Sequence, residues 1–499
     1  MELFPAQSRP LLADYYSNTS NEDEDEYYRS ENDNSVTITK GDIAGDDIVT
    51  SNGSRRNRHQ FSNRRTKRYT RCVIICGALV VILLLIYIPL FSNIQSRLGM
   101  DVCIQINSNS SCMHESEVVP IPGWGFNTSR TVSDYVFPDR DTTLIEPRSV
   151  CHSNFFVLIV VCSAVDNFSN RQMIRETWGN VTEFNYPLFS KIHSNLAGQY
   201  LDISELNLRM YADFLNISKE SNLNESSHHR NYPVRIVFLI GKSKNNDKTG
   251  NETIARLKLE SEQYDDLIQE DFLDTYHNLT IKSVMLLKWV QKRCLTRVRF
   301  VMKCDDDTFV HIPNLLHILL GGTVPIYNST LEYFDAENVN VLASKNRLTQ
   351  DKDLLMGYMF CFVKPVATVG NKWYSPLYMY SGDTYPNYLS GSSYLMSVDV
   401  IPKLFNASLH TALLHLEDVY ITGICAEKIH LRRRQHPLFC FDHAHNKCTY
   451  RGIVTQHYLK GDVMRDVYSA TMNLTIECAP PDKYFKVKRL KKRLKNCHY

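Results

Sequence analysis

The sequence predicts an α/β fold, a mostly parallel sheet flanked by helices, behind a single N-terminal transmembrane helix. Three observations carry this. Continuous apolar, β-branched runs recur at 154–163, 234–241 and 298–304, as in strands buried on both faces. Helical segments lie between them, and strands that alternate with helices favour a parallel sheet. A 20-residue segment without charge, 72–91, precedes them all.

The N-terminal elements come first. The 499 residues leave room for two or three domains. A formal charge of +2 gives no global electrostatic signature and no support for bulk nucleic-acid binding. Residues 1–71 are polar and poor in aliphatics, the composition of a disordered tail. The segment 72–91 reads CVIICGALVVILLLIYIPLF. At about 1.5 Å per residue a helix of this length spans about 30 Å, a bilayer core. It lies too far from the N-terminus, and is too long, for a cleaved signal peptide. Arg55, Arg56, Arg58, Arg64, Arg65, Lys67, Arg68 and Arg71 stand just before it. By the positive-inside rule the tail stays cytosolic and the chain beyond the span is lumenal, a type II orientation. Eleven Asn-x-Ser/Thr sequons follow the span and two precede it. Twelve of the fourteen cysteines also follow it, an even number in an oxidising compartment. No Cys-x-x-Cys pair occurs among these twelve, which disfavours a structural zinc site.

Residues 92–150 show no periodicity and read as a stem; 151–480 form the lumenal domain, and 481–499 are a basic tail. After the strand at 154–163, NRQMIRETWG reads as a short helix. The Asn-, Ser- and His-rich stretch before 234, and 184–230 above all, reads as a largely exposed insertion. From 251 to 292 the pattern is helical, with Leu267 and Ile268 on its apolar face. The strand at 298–304 runs into Asp305-Asp306-Asp307. In such sheets ligands gather at the carboxyl ends of strands.

Three adjacent carboxylates repel one another unless a cation or solvent screens them. Side chains alternate along a strand, so Asp305 and Asp307 can converge while Asp306 points elsewhere. Such a pair suits a hard divalent cation together with nucleotide phosphates, with magnesium and manganese both acceptable. The competing reading is an acidic N-cap for the IPNLLHILL helix. In YPNYLSGSSYLMS, Gly391 permits close backbone approach to a ligand, and the tyrosines suit stacking or a core. Glu417 and Asp418 precede an apolar helical stretch. A helix dipole favours acids there, and a carboxylate there can also take the proton of a sugar hydroxyl.

The blocks RQMIRETWG, EDFLDTYHNLTIKS, VMKCDDDTFV, YPNYLSGSSYLMS and EDVYITGIC occur in this order. They resemble the β-1,3-galactosyltransferase and β-1,3-N-acetylglucosaminyltransferase family (glycosyltransferase family 31), which also contains the Fringe proteins. The likeness covers roughly 151–470. It implies a GT-A-like, Rossmann-related fold in a type II Golgi membrane protein. It also implies an inverting transfer from a UDP-sugar to a glycan acceptor on a glycoprotein or glycolipid, with manganese, or magnesium, as cofactor. Carried over by position, Asp307 is a direct metal ligand, with Asp305 and His457 completing the shell; His443 and His445 compete with His457. Asp305 and Asp306 contact metal or ribose. Asp418 is the base and Glu417 its alternate. Arg171, Arg175, Trp178 and Lys282 either line the nucleotide pocket or brace it. Galactose is the expected sugar and N-acetylglucosamine the alternative, beside a non-catalytic glycan-binding reading. Homo-oligomerisation is left open. The long cytosolic tail, the insertion at 184–230 and the basic ending depart from the family pattern.

Overall fold

Short strands Cys103–Ile106 (β1) and Asn109–Cys112 (β2) form an antiparallel hairpin. Then follow Thr143–Ile145 (β3), Phe155–Cys162 (β4), Val234–Lys242 (β5), Leu267–Leu273 (β6) and Val298–Asp305 (β7). The chain continues through Phe309–Val310 (β8), Leu355–Phe360 (β9), Tyr388–Ser397 (β10), Arg433–Gln435 (β11), Phe439–Cys440 (β12) and Thr455–Gln456 (β13). This computed structural model describes residues 118–180, 187–217, 232–243, 248–333, 348, 351–440, 444 and 446–481, with the backbone of β1 and β2. The expected span at 72–91, His443, His445 and almost all of the basic ending lie outside the described residues. All described residues fall in one unit, Leu83–Tyr499.

Eight strands form one sheet in the order β11-β9-β10-β7-β4-β5-β6-β3. Its centre is parallel, β7 with β4, β4 with β5 and β5 with β6, while β10 runs antiparallel beside β7. The three runs read as buried strands are thus the three central ones. Every residue of β4 is buried. From Leu158 onward its side chains alternate between two apolar layers: Leu158, Val160 and Cys162 on one side, Ile159 and Val161 on the other. Helices cover the sheet, among them Phe168–Glu176, Lys248–Tyr264, Leu279–Arg293 and Ile401–Leu409. The fold is therefore α/β with a mixed, mostly parallel sheet.

Three expectations are corrected. The stretch 251–292 is not one helical region: β6 lies within it, and Leu267 and Ile268 are strand residues. Gln269, Glu270 and Asp271 interrupt its apolar side chains, which hid the strand. The insertion is not largely exposed where it is described. Helices Pro187–Ile192, Glu205–Met210 and Ala212–Leu215 bury Phe189, Leu208, Tyr211 and Leu215. Tyr211 packs its ring 5.2 Å from Phe156 of β4. Burying side chains of this size contributes on the order of 1.5–3 kcal/mol each, enough to hold a polar-looking stretch on the core. Finally, residues 118–150 do not stand apart as a stem. Trp124, Val132 and Val136 are buried, and β3 extends the sheet edge next to β6.

Disulfides Cys151–Cys294 and Cys448–Cys478 pin the chain before β4 and the segment that follows β12, and Cys361 is also disulfide-bonded. Cys162, Cys304 and Cys425 are buried thiols outside the disulfides, and Cys440 is buried as well.

Candidate active site

Asp305 ends β7 at the carboxyl edge of the parallel sheet, level with Cys162 of β4. A tight turn follows, closed by the Thr308 amide donating to the Asp305 carbonyl at 3.2 Å. The turn sends Phe309 and Val310 into a small sheet with β13, where Phe309 faces Gln456. That pairing carries His457 to the carboxylates. The Leu459 amide donates to the Asp307 carbonyl at 2.8 Å and fixes the loop. The result is a cluster in which Asp305, Asp307 and His457 each offer a ligand atom within 4.8 Å of the others. The donor set is two carboxylates and an imidazole, which suits manganese or magnesium. His457 Nε2 lies 3.2 Å from Asp307 Oδ1, yet that buried oxygen has no aligned hydrogen-bond donor among the described residues. An orphaned carboxylate oxygen beside an imidazole fits a cation site.

The two acids titrate as a pair. Burial, reinforced by Asp307, pushes Asp305 up, although Lys303 opposes this. Burial also acts against Asp307, but His457 and Lys460 outweigh it and hold its carboxyl below the usual range. Lys460 Nζ stands 3.5 Å from Asp307 Oδ2. The next residue round the loop from His457, Tyr458, adopts φ +63°, a left-handed conformation uncommon for non-glycine residues.

Asp306 points away from this pair, as strand alternation predicts. Its carboxylate accepts from Ser163 Oγ at 2.7 Å, Asn167 Nδ2 at 2.8 Å and Asn170 Nδ2 at 3.3 Å. The alternative reading of the triplet as a helix cap does not hold. The helix Ile312–Leu319 is capped by His311, whose Nδ1 accepts from the Asn314 amide.

Glu417 and Asp418 approach from the other side. Between Leu389 and Tyr394, β10 bulges away from β9. Bulges of this kind re-aim backbone next to sites. The bulge presents Gly391, whose amide donates to Asp418 Oδ2 at 3.2 Å. A Cβ on Gly391 would lie 3.2 Å from Asp418 Cβ and 3.3 Å from Glu417 Oε2. The close approach expected of this glycine is thus made to the acidic pair. Asp418 also accepts from the Val419 amide at 2.8 Å and caps Val419–Cys425, a π-helical turn rather than an ordinary helix. Such turns are frequent at functional sites. Burial, then the neighbouring Glu417 charge, raise the Asp418 carboxyl to about 7. Glu417 accepts from Tyr394 OH at 2.6 Å and lies 3.5 Å from Lys303 Nζ.

The remaining residues singled out in the sequence are buried or paired near this edge. Arg171 is fully buried, paired to Glu260 through two 2.8 Å contacts and donating to the Ala164 carbonyl at 2.7 Å. Arg175 pairs with Glu260 and Asp266 and covers the Tyr264 ring at 4.0 Å. Trp178 is wholly buried. Lys282 donates to the Ser163 carbonyl at 2.8 Å and pairs with Asp274. Sequence reasoning assigned no part to Lys303, Tyr394 or Ser163. The one available signal was a lysine set inside the apolar run VRFVMKC.

Known proteins resolve the class. Residues 216–437 match the family profile described as Galactosyltransferase. The chain is 29% identical over 330 residues to "Beta-1,3-galactosyltransferase 1" of Homo sapiens, covering 65% of this chain and 77% of that one. It is 27% identical over 361 residues to "Lactosylceramide 1,3-N-acetyl-beta-D-glucosaminyltransferase A" of Danio rerio, covering 68% and 77%. A parallel-centred α/β sheet with a carboxylate–imidazole cluster at its carboxyl edge, in a chain with these relatives, is a glycosyltransferase. The chain is similar to the galactosyltransferase family over that stretch, and its relatives include both a β-1,3-galactosyltransferase and a 1,3-N-acetyl-β-D-glucosaminyltransferase.

Proposed function

We propose that the protein transfers galactose from UDP-galactose, with inversion, in β-1,3 linkage to a glycan acceptor on protein or lipid. The observation that carries this is the convergence of Asp305, Asp307 and His457 at the carboxyl edge of β7, connected to Asp418 through Lys303 and Gly391. The fold is read as GT-A-like. Asp307 and His457, with Asp305, would hold manganese, magnesium being second. Such an ion supplies Lewis-acid stabilisation to the diphosphate leaving group.

The chain's own residues do the rest. Asp418 accepts the proton of the acceptor 3-hydroxyl as its oxygen bonds to the anomeric carbon. The bond from that carbon to the UDP oxygen breaks, and its electron pair leaves on UDP. A carboxyl raised to about 7 has the proton affinity a general base needs near neutrality. Glu417, bound to Tyr394 and facing Lys303, holds the base segment in place. Asp306 orders the loop after β4 around the donor. Arg171, Arg175 and Trp178 are read as bracing, since both guanidinium groups are matched to Glu260 or Asp266. Transfer of N-acetylglucosamine is the second reading, favoured by the Danio rerio relative of nearly equal similarity. The intact Asp305-Asp306-Asp307 triplet and the Glu417-Asp418 pair argue against a non-catalytic glycan-binding role. The uncharged segment at 72–91 and the excess of sequons beyond it support a Golgi membrane anchor. In that arrangement 1–71 is cytosolic, the catalytic domain lumenal and 481–499 a basic tail.

The test is detergent-solubilised full-length protein with manganese, a panel of UDP-sugars and an acceptor panel, reading UDP release and the product linkage by NMR. Asp307→Ala should abolish transfer and metal-dependent nucleotide binding. Asp418→Asn should abolish transfer and keep UDP binding. Turnover by purified Asp418→Asn protein removes Asp418 from the base role.

A further inference from the structure

Lys303 is a lysine inside a buried strand. Met302 and Cys304 beside it are fully buried, and its own side chain is 4% exposed. Placing an ammonium there is unfavourable unless charges and acceptors surround it. They do. Its Nζ donates to Asp305 Oδ1 at 2.6 Å and to the Gly391 carbonyl, and lies 3.5 Å from Glu417 Oε2.

These contacts form one chain of connections. Asp305 belongs to the metal cluster, and Lys303 grips it. Lys303 also grips the carbonyl of Gly391, whose amide holds Asp418. We propose that Lys303 is the positioning residue that sets the base at a fixed place relative to the metal carboxylates. It does so as a buried countercharge shared by Asp305 and Glu417. The proposal rests on the reading of Asp418 as the base. It adds a physical reason why strand β7, bulged β10 and the Glu417-Asp418 segment keep one mutual arrangement. Without the ammonium, Asp305 and Glu417 face each other uncompensated. Relief requires Glu417 to move or take a proton, and either change shifts Gly391 and the base.

The experiment uses full-length protein with manganese, UDP-sugar and acceptor. Lys303→Met is compared with Lys303→Arg, Lys303→Met/Glu417→Gln and wild type, each checked for folding by circular dichroism. Displacement of a catalytic group by about 1 Å costs on the order of 100-fold, so kcat of Lys303→Met should fall about that far. Donor KM and manganese affinity, the latter read by electron paramagnetic resonance, should stay within about threefold, the modest change expected when ground-state contacts are intact. The groups facing Asp418 are Glu417, Lys303 and the amides of Gly391 and Val419. Loss of the cation should therefore move the acid limb of the kcat profile to higher pH. Lys303→Arg should keep the wild-type limb. The double variant, which removes the two charges together, should regain at least about tenfold of kcat, as coupled charges are non-additive. A Lys303→Met enzyme with kcat within threefold of wild type overturns the proposal. So does an unmoved acid limb, or a double variant no better than the single one. If Lys303→Met does not fold, the proposal stands or falls on Lys303→Arg: loss of its activity or a shift of its limb overturns it. Absence of transfer by wild type refutes the proposed function itself, a separate outcome visible in the same assay.

Discussion

Arg171 gives the sharpest division between bracing and nucleotide contact. Replacing it with methionine keeps most of the volume and removes the guanidinium. Glu260, 7% exposed, then loses its contacts with Arg171 Nε and Nη2, both 2.8 Å, and keeps only the 2.8 Å contact from Arg175. The carbonyls of Ala164 and Val165 lose a donor as well. Removing one partner of a buried pair costs about 3–5 kcal/mol, and the surviving Arg175 contact places this case near the lower end. For a folded unit of this size the unfolding entropy near Tm is on the order of 0.7 kcal/mol/K, so about 3 kcal/mol lowers Tm by about 4 °C. Scanning fluorimetry at one fixed heating rate measures this, and donor KM is measured in parallel on the same protein. Bracing predicts the Tm loss with donor KM within about threefold, the signature of intact ground-state binding. Adding Glu260→Gln should recover part of the loss by removing the stranded charge. An unchanged Tm with a donor KM more than tenfold higher would refute the bracing argument and return Arg171 to the nucleotide pocket.

Two further outcomes are expected. Gly391→Ala sets a methyl 3.2 Å from Asp418 Cβ and 3.3 Å from Glu417 Oε2. It should lower kcat by about 10- to 100-fold with little loss of Tm; a kcat within twofold of wild type would show that the base segment yields. Acid should destabilise the fold through its buried histidines. Burial drops His311 to about 3 and His415 to about 3, and pushes His193 well below its usual value. Their folded values lie below their unfolded ones, so the unfolded chain takes protons first and stability falls as pH drops from about 6.5 towards 3. For His311 alone the loss at pH 5 is about 2 kcal/mol. Denaturant midpoints at pH 7 and pH 5 test this, and His311→Asn, which keeps a capping acceptor, should flatten the difference.

Much of this architecture was legible because the central strands are apolar throughout. Strands β4, β5 and β7 carry no competing pattern and could be read directly. Strand β6 could not, since Gln269, Glu270 and Asp271 mask a period-two signal that only its neighbours complete. The opposite facing of Asp306 and the pair Asp305/Asp307 followed from alternation alone. Arg171 and Arg175 looked equally suited to phosphate and to carboxylate. Only Glu260 and Asp266, more than eighty residues away, decide between these, and such pairings are invisible without the fold. The buried faces of 187–217 were hidden for a related reason: Phe189, Leu208 and Tyr211 are spaced too sparsely among polar residues to show a stripe. His457 became assignable by resemblance to the family; its partner strand β8 holds only two residues and gives no pattern.

The third member of the cluster comes last in the chain. His457 is delivered by β13 pairing with β8, and its loop hangs from the Asp307 carbonyl. The acids are synthesised about one hundred and fifty residues earlier in the chain. A polypeptide that stops short of Thr455 would carry neither the imidazole nor the clamp on Asp307. On the proposed reading, the cluster is complete only once the C-terminal segment docks, and that segment also brings Tyr450, Ile453, Val454 and Leu459 into the core, so premature stop codons before Thr455 would remove both.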